Sequence, residues 1–297
     1  METTHSPLNR CLTQHRVGDG YLMPIFHAIV LGITQGLTEF LPISSSGHLE
    51  IVPWLFNWND FAGDTRTENT FDVALHFGTF IGAATYLRKD ICSYATAGLS
   101  ALIGRRPWDT EAKIGWFLLL SALPAACVAV IFEPFLLRQS DRIGLIAVGL
   151  AFFGVILWLV DRSSRNERST SELSLSHSIA MGIGQCVALL PGVSRSGIMI
   201  TTARKLGYGR PHAARLAFLM GLPIIAGAAL FRSLEVATDG MPSGMGAALL
   251  AGTATSALTG WCAVHAMLRW IQSRSYGGFA IYRVAMALLV TAVLFAR

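Results

Sequence analysis

The chain alternates long apolar stretches with short polar ones. The run from Ile143 to Val160, IGLIAVGLAFFGVILWLV, has no charged residue, and neither does the run over 114–132. Each approaches the roughly 20 residues that an α-helix needs to cross a bilayer. Because lipid offers no partner to unpaired backbone amides, these runs are predicted to be helices. The pattern predicts six transmembrane helices, near residues 71–87, 114–132, 143–160, 216–231, 245–267 and 279–296.

Two further apolar segments, 21–56 and 175–206, are interrupted in the middle by Pro, Gly and Ser. Such a break inside a membrane is tolerated only where the backbone is buried in protein or faces a wet cavity. Each segment is therefore predicted to be a re-entrant helical hairpin that enters and leaves on one side. The predicted fold is an all-α integral membrane protein with six transmembrane helices and two re-entrant hairpins.

Charge supports the membrane class and orients the chain. Only 14% of the 297 residues are charged, against about 25% in soluble domains. Four loops predicted on one side hold 14 Lys and Arg residues and the other side holds 7, which places those four loops in the cytoplasm. No nucleic-acid partner is expected, because the basic residues form no single patch. The four loops are 88–113, 161–174, 204–215 and 268–278.

The two broken segments resemble each other in sequence. In the first, SSSG (residues 44–47) begins nine residues after Gln35; in the second, SRSG (residues 194–197) begins nine residues after Gln185. Since the charge bias makes them enter from opposite faces, they form an inverted-topology repeat. Such repeats hold a shared site near the middle of the membrane, with the N-termini of half-helices facing anions.

This repeat defines the domain organisation. Residues 1–20 are polar, lack the order of a cleavable signal, and are predicted to be a disordered extension. Residues 21–297 are predicted to form a single polytopic membrane domain. Repeat one covers about 21–160 and repeat two about 175–297.

Both motifs suit an anion. Serine is a favoured N-cap, and the free amides of a first helical turn bind anions. Arg195 adds a planar charge that suits phosphate oxygens. The residues predicted to bind such a substrate are Ser44, Ser46, Gly47, Ser194, Ser196 and Gly197. In the alternative interpretation the serines only cap helices and Arg195 pairs with Glu39, but the cost of charges inside a membrane favours a functional role.

Neighbours of the first motif suggest cation binding and acid–base chemistry. Gln35 and Glu39 lie four residues apart and therefore on one helix face, where their oxygens suit a divalent cation, Mg²⁺ or Ca²⁺. His48 follows the motif directly. It could act as a general acid or base, or it could be a hydrogen-bonded interior histidine.

Weaker candidates lie outside the motifs. Asp72, His76 and Thr79 share one helix face and are predicted to support the site or to pack helices. Arg283 is predicted to bind a neighbouring helix or to extend to the cytoplasmic interface. The glycine-rich run 245–260 is typical of close helix packing, and such small-residue faces also suit a homodimer.

At these motifs the chain resembles the undecaprenyl-diphosphatase family, the bacitracin-resistance proteins of bacterial inner membranes. The family motifs, [E/Q]xxxE running into LP-x-SS-[ST]-GH and PG-x-SRSG, stand here as QGLTEFLPISSSGH and PGVSRSG. The segments FDVALHFGT, FLMGLP and FAIYR also resemble family sequence, so the match covers about 21–297. The resemblance implies that the protein removes the terminal phosphate of undecaprenyl diphosphate, a polyprenyl lipid, and so regenerates the carrier for peptidoglycan synthesis.

The resemblance also assigns roles to residues. Glu39 is the acidic residue of the first motif, His48 its histidine and Arg195 the arginine of the second. Ser45, the central serine, or a water attacks the phosphate, with His48 as its base. The resemblance implies an inner-membrane protein whose site opens to the periplasm.

The chain departs from the family pattern in several positions. Gln35 is the neutral variant of a position that also takes Glu, Ser46 stands where Thr is common, and Arg215 replaces a glutamate of some relatives. The rival function is transport of a polyprenyl phosphate, because secondary transporters also use inverted repeats with broken helices. Transport needs no general base, which favours hydrolysis.

Overall fold

The computed structural model describes residues 16–17, 20–21, 23–61, 63–137, 139, 142–239 and 244–297. The extension predicted to be disordered lies largely outside these residues, and its disorder stays a prediction. Two strands of two residues each, β1 (Arg16–Val17) and β2 (Gly20–Tyr21), pair antiparallel ahead of the first helix.

The rest of the described chain is helical, as predicted. Its twelve α-helices are α1 (Ile25–Phe40), α2 (Ser45–Phe56), α3 (Thr65–Tyr86), α4 (Arg88–Leu102), α5 (Thr110–Leu120), α6 (Leu123–Leu137), α7 (Ile143–Ser163), α8 (Leu175–Val187), α9 (Arg195–Lys205), α10 (Arg210–Asp239), α11 (Gly246–Trp270) and α12 (Gly277–Ala296). A 3₁₀ turn, Thr170–Glu172, precedes α8.

Five helical segments within the described residues are long and apolar enough to cross a membrane, which makes this a membrane protein. They correspond to five of the six predicted spans. The segments are Thr110–Phe132, Ile143–Ser163, Arg210–Phe231, Gly246–Trp270 and Gly277–Ala296.

The sixth predicted span, 71–87, belongs to the continuous 22-residue helix α3 but is not among these segments. The reason is that α3 carries Glu68, Asp72 and His76 along the side that lines a polar cavity. The prediction of a helix is confirmed, and the prediction of an apolar span is not.

Both broken segments are pairs of helices separated by a turn. Residues 41–44 separate α1 from α2, and residues 188–194 separate α8 from α9. Ser44 and Ser194, at equivalent positions, have φ values of 77° and 72°, and the Oγ of each accepts a hydrogen bond from the backbone N–H three residues later. A positive φ is costly for a residue other than glycine, so the same unusual cap occurs in both halves.

The four basic loops lie close together. At the ends of α7 and α9, the carboxylate of Asp161 accepts hydrogen bonds from Arg204 at 2.9 Å, Arg210 at 2.8 Å and the backbone N–H of Tyr276 at 3.2 Å. Arg215 Nη2 donates to both carboxylate oxygens of Asp90, in the first turn of α4, and so joins the predicted loop 88–113 to the same group. The grouping predicted from charge is therefore present in the structure.

A second group of contacts joins the start of α1, the end of α2 and the end of α12. His27 at the start of α1 binds Asp60, which follows α2, at 2.8 Å. The C-terminal Arg297 donates to the backbone carbonyls of Trp54 and Leu55 near the end of α2. The outer ends of the first broken pair therefore lie beside the C-terminus, whereas those of the second pair lie beside the basic loops.

Glycines bring α1 and α3 close to α11. A Cβ added at Gly32 would lie 2.6 Å from the carbonyl oxygen of Gly252, and one at Gly78 would lie 2.4 Å from that of Thr253. Only a residue without a Cβ permits this approach. The glycine-rich face of α11 is thus used inside the chain, and a homodimer stays a prediction.

Candidate active site

Glu39 lies in the last turn of α1. Among the predicted site residues that the structure describes, it contacts the largest number of the others. Its Oε2 accepts hydrogen bonds from Ser45 Oγ at 2.6 Å and from Gln35 Nε2 at 2.9 Å. Arg195 Nη2 donates to Oε1 of the same carboxylate. Four predicted residues from both halves of the chain therefore meet at one buried carboxylate, which is 5% exposed.

The local structure explains this meeting. Gln35 and Glu39 are one turn apart on α1, while Ser45 and Arg195 are the first residues of α2 and α9. Two helix N-termini therefore begin beside Glu39, and their first-turn amides and dipoles favour an anion there. The ion pair of Arg195 with Glu39 is the contact that the alternative interpretation predicted. The Arg195 side chain remains 24% exposed, so it can also contact a ligand.

The residues predicted to bind substrate divide into two groups. Ser46 and Gly47 line a cavity. The other four are buried: Ser44, Ser194, Ser196 and Gly197. Ser44 and Ser194 cap helices, and Ser196 Oγ donates to the backbone carbonyl of Leu41 at 3.0 Å. Ser196 therefore joins the two turns, and the contact of these residues with substrate stays a prediction.

His48 lies elsewhere than its predicted role requires. Its Nδ1 is 2.7 Å from the carbonyl oxygen of Ser44 and its Nε2 is 2.8 Å from Tyr282 Oη. A carbonyl can only accept, so Nδ1 donates, and in the neutral ring Nε2 accepts from the tyrosine. Neither nitrogen is left for Ser45, whose hydroxyl is bonded to Glu39 instead. In this structure His48 is a hydrogen-bonded interior histidine, which is the alternative that the sequence left open, and its role as the base for Ser45 stays a prediction.

A cavity of about 340 Å³ opens beside the first turn and the N-terminal half of α3. Carboxylates from α2 and α3 line it, together with His76 and the apolar Ile146. A second cavity of about 250 Å³ adjoins it, sharing Glu50, Glu68 and Asp72, and reaches the loop after α2. The turn between α1 and α2 thus faces a partly polar cavity whose volume is that of a small-ligand site.

His76 lies nearer to Glu39 than the sequence indicated. Its Nε2 lies 3.6 Å from Glu39 Oε2, and its Nδ1 is 2.8 Å from the backbone carbonyl oxygen of Asp72. The sequence signal was the shared helix face of Asp72 and His76. That face was visible, but its position next to Glu39 was not.

Arg283 has one of its two expected roles, since it binds a neighbouring helix, α7. It is 0% exposed, so it does not extend to the interface, and it donates to backbone carbonyls of both turns and of α7. Its sequence signal was a lone arginine within an apolar helix. Such a residue is costly in a membrane and is therefore rarely incidental.

A divalent cation can be tested against the donor set. The described residues contain no group of three or more His, Cys, Asp and Glu side chains arranged to hold a metal. However, Gln35 Oε1 is buried and has no hydrogen-bond partner among the described atoms, and Glu39 lies beside it. One carboxylate and one amide oxygen fit a hard cation if the ligand supplies further oxygens, as a diphosphate does.

Comparison with known proteins finds relatives that match most of the chain. The family model "Bacitracin resistance protein BacA" matches residues 28–289. The undecaprenyl-diphosphatase of Pelobacter propionicus is 44% identical over 92% of this chain and 98% of its own length. The undecaprenyl-diphosphatases of Geobacter sulfurreducens and Thermomicrobium roseum are 43% and 38% identical, each over 93% of this chain and 100% of their own length.

Proposed function

The chain belongs to the BacA family of bacitracin resistance proteins, and we propose that it hydrolyses undecaprenyl diphosphate to undecaprenyl phosphate and inorganic phosphate. The product is the lipid carrier for peptidoglycan synthesis. The activity also fits the bacitracin resistance for which the family is named. The observation that carries the proposal is the 2.6 Å hydrogen bond between Ser45 Oγ and Glu39 Oε2 beside Arg195. A hydroxyl paired with a carboxylate next to a guanidinium suits attack on a phosphate.

The reaction proceeds in two steps in this proposal. Ser45 Oγ attacks the terminal phosphorus while its proton passes to Glu39 Oε2. The bond between that phosphorus and the bridging oxygen breaks, and undecaprenyl phosphate leaves with the electron pair. Water then attacks the phosphoserine, Glu39 returns the proton to Ser45 Oγ, and inorganic phosphate leaves.

Neutralisation of the charge on the transferred phosphoryl group supplies most of the remaining rate enhancement in this proposal. The Arg195 guanidinium leaves the Glu39 carboxylate and donates hydrogen bonds to two phosphate oxygens at once. The first-turn amides of α2 and α9, helices that both begin beside Glu39, stabilise the negative charge in this proposal. Both effects need the two turns to lie against the same phosphate.

We also propose a divalent cation as part of the site. Glu39 and the unpartnered Gln35 Oε1 would hold it together with oxygens of the substrate. When bound, such a cation neutralises charge on the transferred phosphoryl group. Side chains with further oxygens, those of Glu50, Glu68 and Asp72, line the cavity beside the turn between α1 and α2.

The proposed topology follows from the two groups of contacts. In it both broken pairs are re-entrant hairpins of an inverted repeat, and α3 is the sixth spanning helix. The protein lies in the bacterial inner membrane with the basic loops in the cytoplasm. The cavity beside α3 then opens towards the periplasm, and the isoprenoid tail of the substrate lies among membrane lipids.

Phosphate release by the purified full-length protein in detergent tests the function. We expect release from undecaprenyl diphosphate by the wild type and a loss of at least about 100-fold in Ser45→Ala, the range of a lost nucleophile or base. Ser46→Ala is the matched control, since Ser46 is exposed and makes no described contact with Glu39; it should lose far less. Absence of release by the wild type would favour the transport alternative.

A labelled terminal phosphate separates the two routes of attack. Acid-quenched enzyme should carry label on the peptide that contains Ser45. If no label is found and Ser45→Ala keeps measurable turnover, water attacks directly and the phosphoserine step is wrong.

A further inference from the structure

Arg283 lies on α12 and is one of the largest fully buried side chains that the structure describes. All three of its guanidinium nitrogens donate to backbone carbonyl oxygens. The acceptors are Leu150 at 3.1 Å from Nε, Pro42 at 3.3 Å from Nη1, and Gly149 at 3.3 Å, Gly192 at 2.9 Å and Val193 at 2.9 Å from Nη2.

These acceptors belong to three separate segments. Pro42 is in the turn between α1 and α2, Gly192 and Val193 are in the turn between α8 and α9, and the remaining two are on α7. Pro42 precedes Ser45 by three residues, and Val193 precedes Arg195 by two. One side chain therefore holds both turns immediately ahead of the residues that are proposed to react with and bind the phosphate.

The guanidinium also limits how the second turn can move. A Cβ added at Gly197, in the first turn of α9, would lie 3.0 Å from Arg283 Nη1. The start of α9 thus packs directly on the guanidinium. Among the described contacts only Ser196 Oγ to the carbonyl of Leu41 and Arg195 to Glu39 join the two turns in addition.

We propose that Arg283 is a positioning residue for the reaction proposed above, on which this inference rests. It bridges the two turns so that Ser45 and Arg195 meet the same phosphate. In the proposed reaction Arg195 exchanges Glu39 for phosphate oxygens, so the Arg195–Glu39 pair does not join the turns throughout. The bridge through Arg283 uses only backbone acceptors, which take no part in the proposed chemistry.

The planar fork is needed for this role. Nη1 reaches one turn while Nη2 reaches the other, and a lysine ammonium is a single point on a flexible stem. Arg283→Lys keeps the charge and loses the bridge. Displacing a reacting group by about 1 Å can cost about 100-fold in rate, so a loss of about 10- to 100-fold in kcat is expected.

Arg204 provides a matched control. It is also 0% exposed, and it also donates to backbone carbonyls, among them those of Asp161 and Tyr208. It lies at the far end of α9 from Arg195. Arg204→Lys therefore reproduces the loss of a buried guanidinium without touching either turn, and its kcat should stay within about threefold of wild type while its Tm falls.

The experiment measures kcat, KM and Tm for the full-length wild type, Arg283→Lys, Arg283→Gln and Arg204→Lys, each taken from the monodisperse fraction in detergent. The same Arg283 change is also made in an Arg195→Lys background. If Arg283 acts by placing its turn, its effect on kcat should shrink there, because coupled residues are not additive. Arg283→Gln serves in place of the lysine variant if that variant does not fold.

Wild-type kcat in the Arg283 variants would overturn the inference. So would an equal loss in Arg204→Lys, or an equal loss in both backgrounds, since each indicates a general effect on folding. Failure of the wild type to release phosphate would instead count against the proposed function, which keeps the two failures apart.

Discussion

The proposal that Glu39 is the base for Ser45 makes the most specific prediction. The motif pointed to His48, whereas the structure pairs Ser45 Oγ with Glu39 Oε2 at 2.6 Å. Glu39→Gln keeps the size of the side chain and removes the proton acceptor. A lost general base typically costs about 10²- to 10⁴-fold in rate, which corresponds to about 2.7–5.4 kcal/mol of barrier.

His48→Asn provides the comparison. An asparagine amide can still donate to the carbonyl of Ser44, so the change removes mainly the bond to Tyr282 at 2.8 Å. A neutral hydrogen bond has a net value of about 0.5–1.5 kcal/mol. Even if all of it appeared in the barrier, kcat would fall by only about two- to thirteenfold. The kcat should therefore fall at least about sevenfold further in Glu39→Gln than in His48→Asn.

The assay is phosphate release under saturating substrate, with Tm and elution volume recorded for each variant. Glu39→Gln also leaves Arg195 without its carboxylate, and Glu39→Asp controls for this. The aspartate keeps the negative charge but withdraws it from Ser45 by one methylene, so it should stay folded and still lose kcat. A larger loss in His48→Asn than in Glu39→Gln would refute the assignment of Glu39 and restore His48.

Three further outcomes are expected. Arg195→Lys should raise KM and lower kcat by at least about tenfold, because a point charge cannot replace the bidentate fork; near-normal steady-state kinetics would remove Arg195 from the phosphate. Excess chelator should stop turnover and Mg²⁺ or Ca²⁺ should restore it, with Gln35→Glu needing less cation; full activity after chelation and dialysis would exclude the cation. Asp60→Ala should lower Tm by at least about 2 °C by removing the acceptor of the hydrogen bond with His27 Nδ1, whose length is 2.8 Å; an unchanged thermal melt would show that this pair does not stabilise the fold.

The local sequence pattern was enough to predict the helices, the breaks in two of the apolar segments and several candidate site residues. Apolar runs predicted the helices, because a membrane span has no other way to satisfy its backbone. The two SxSG motifs predicted the breaks and their serine caps, since a cap depends on residues within one turn of each other. Glu39, Gln35 and Ser45 were identified for the same reason, as they lie within eleven positions of chain.

Tertiary structure alone decided which of these groups act on each other. His48 and Tyr282 are 234 positions apart, and their hydrogen bond takes the histidine away from Ser45. Arg283 and Pro42 are 241 positions apart, and nothing in either segment shows that they meet. Periodicity determines which face a side chain occupies, but the partner on that face depends on how helices distant in sequence pack. The proposed choice of Glu39 over His48 as the base, and the proposed bridge through Arg283, therefore depend on how α12 packs against both turns.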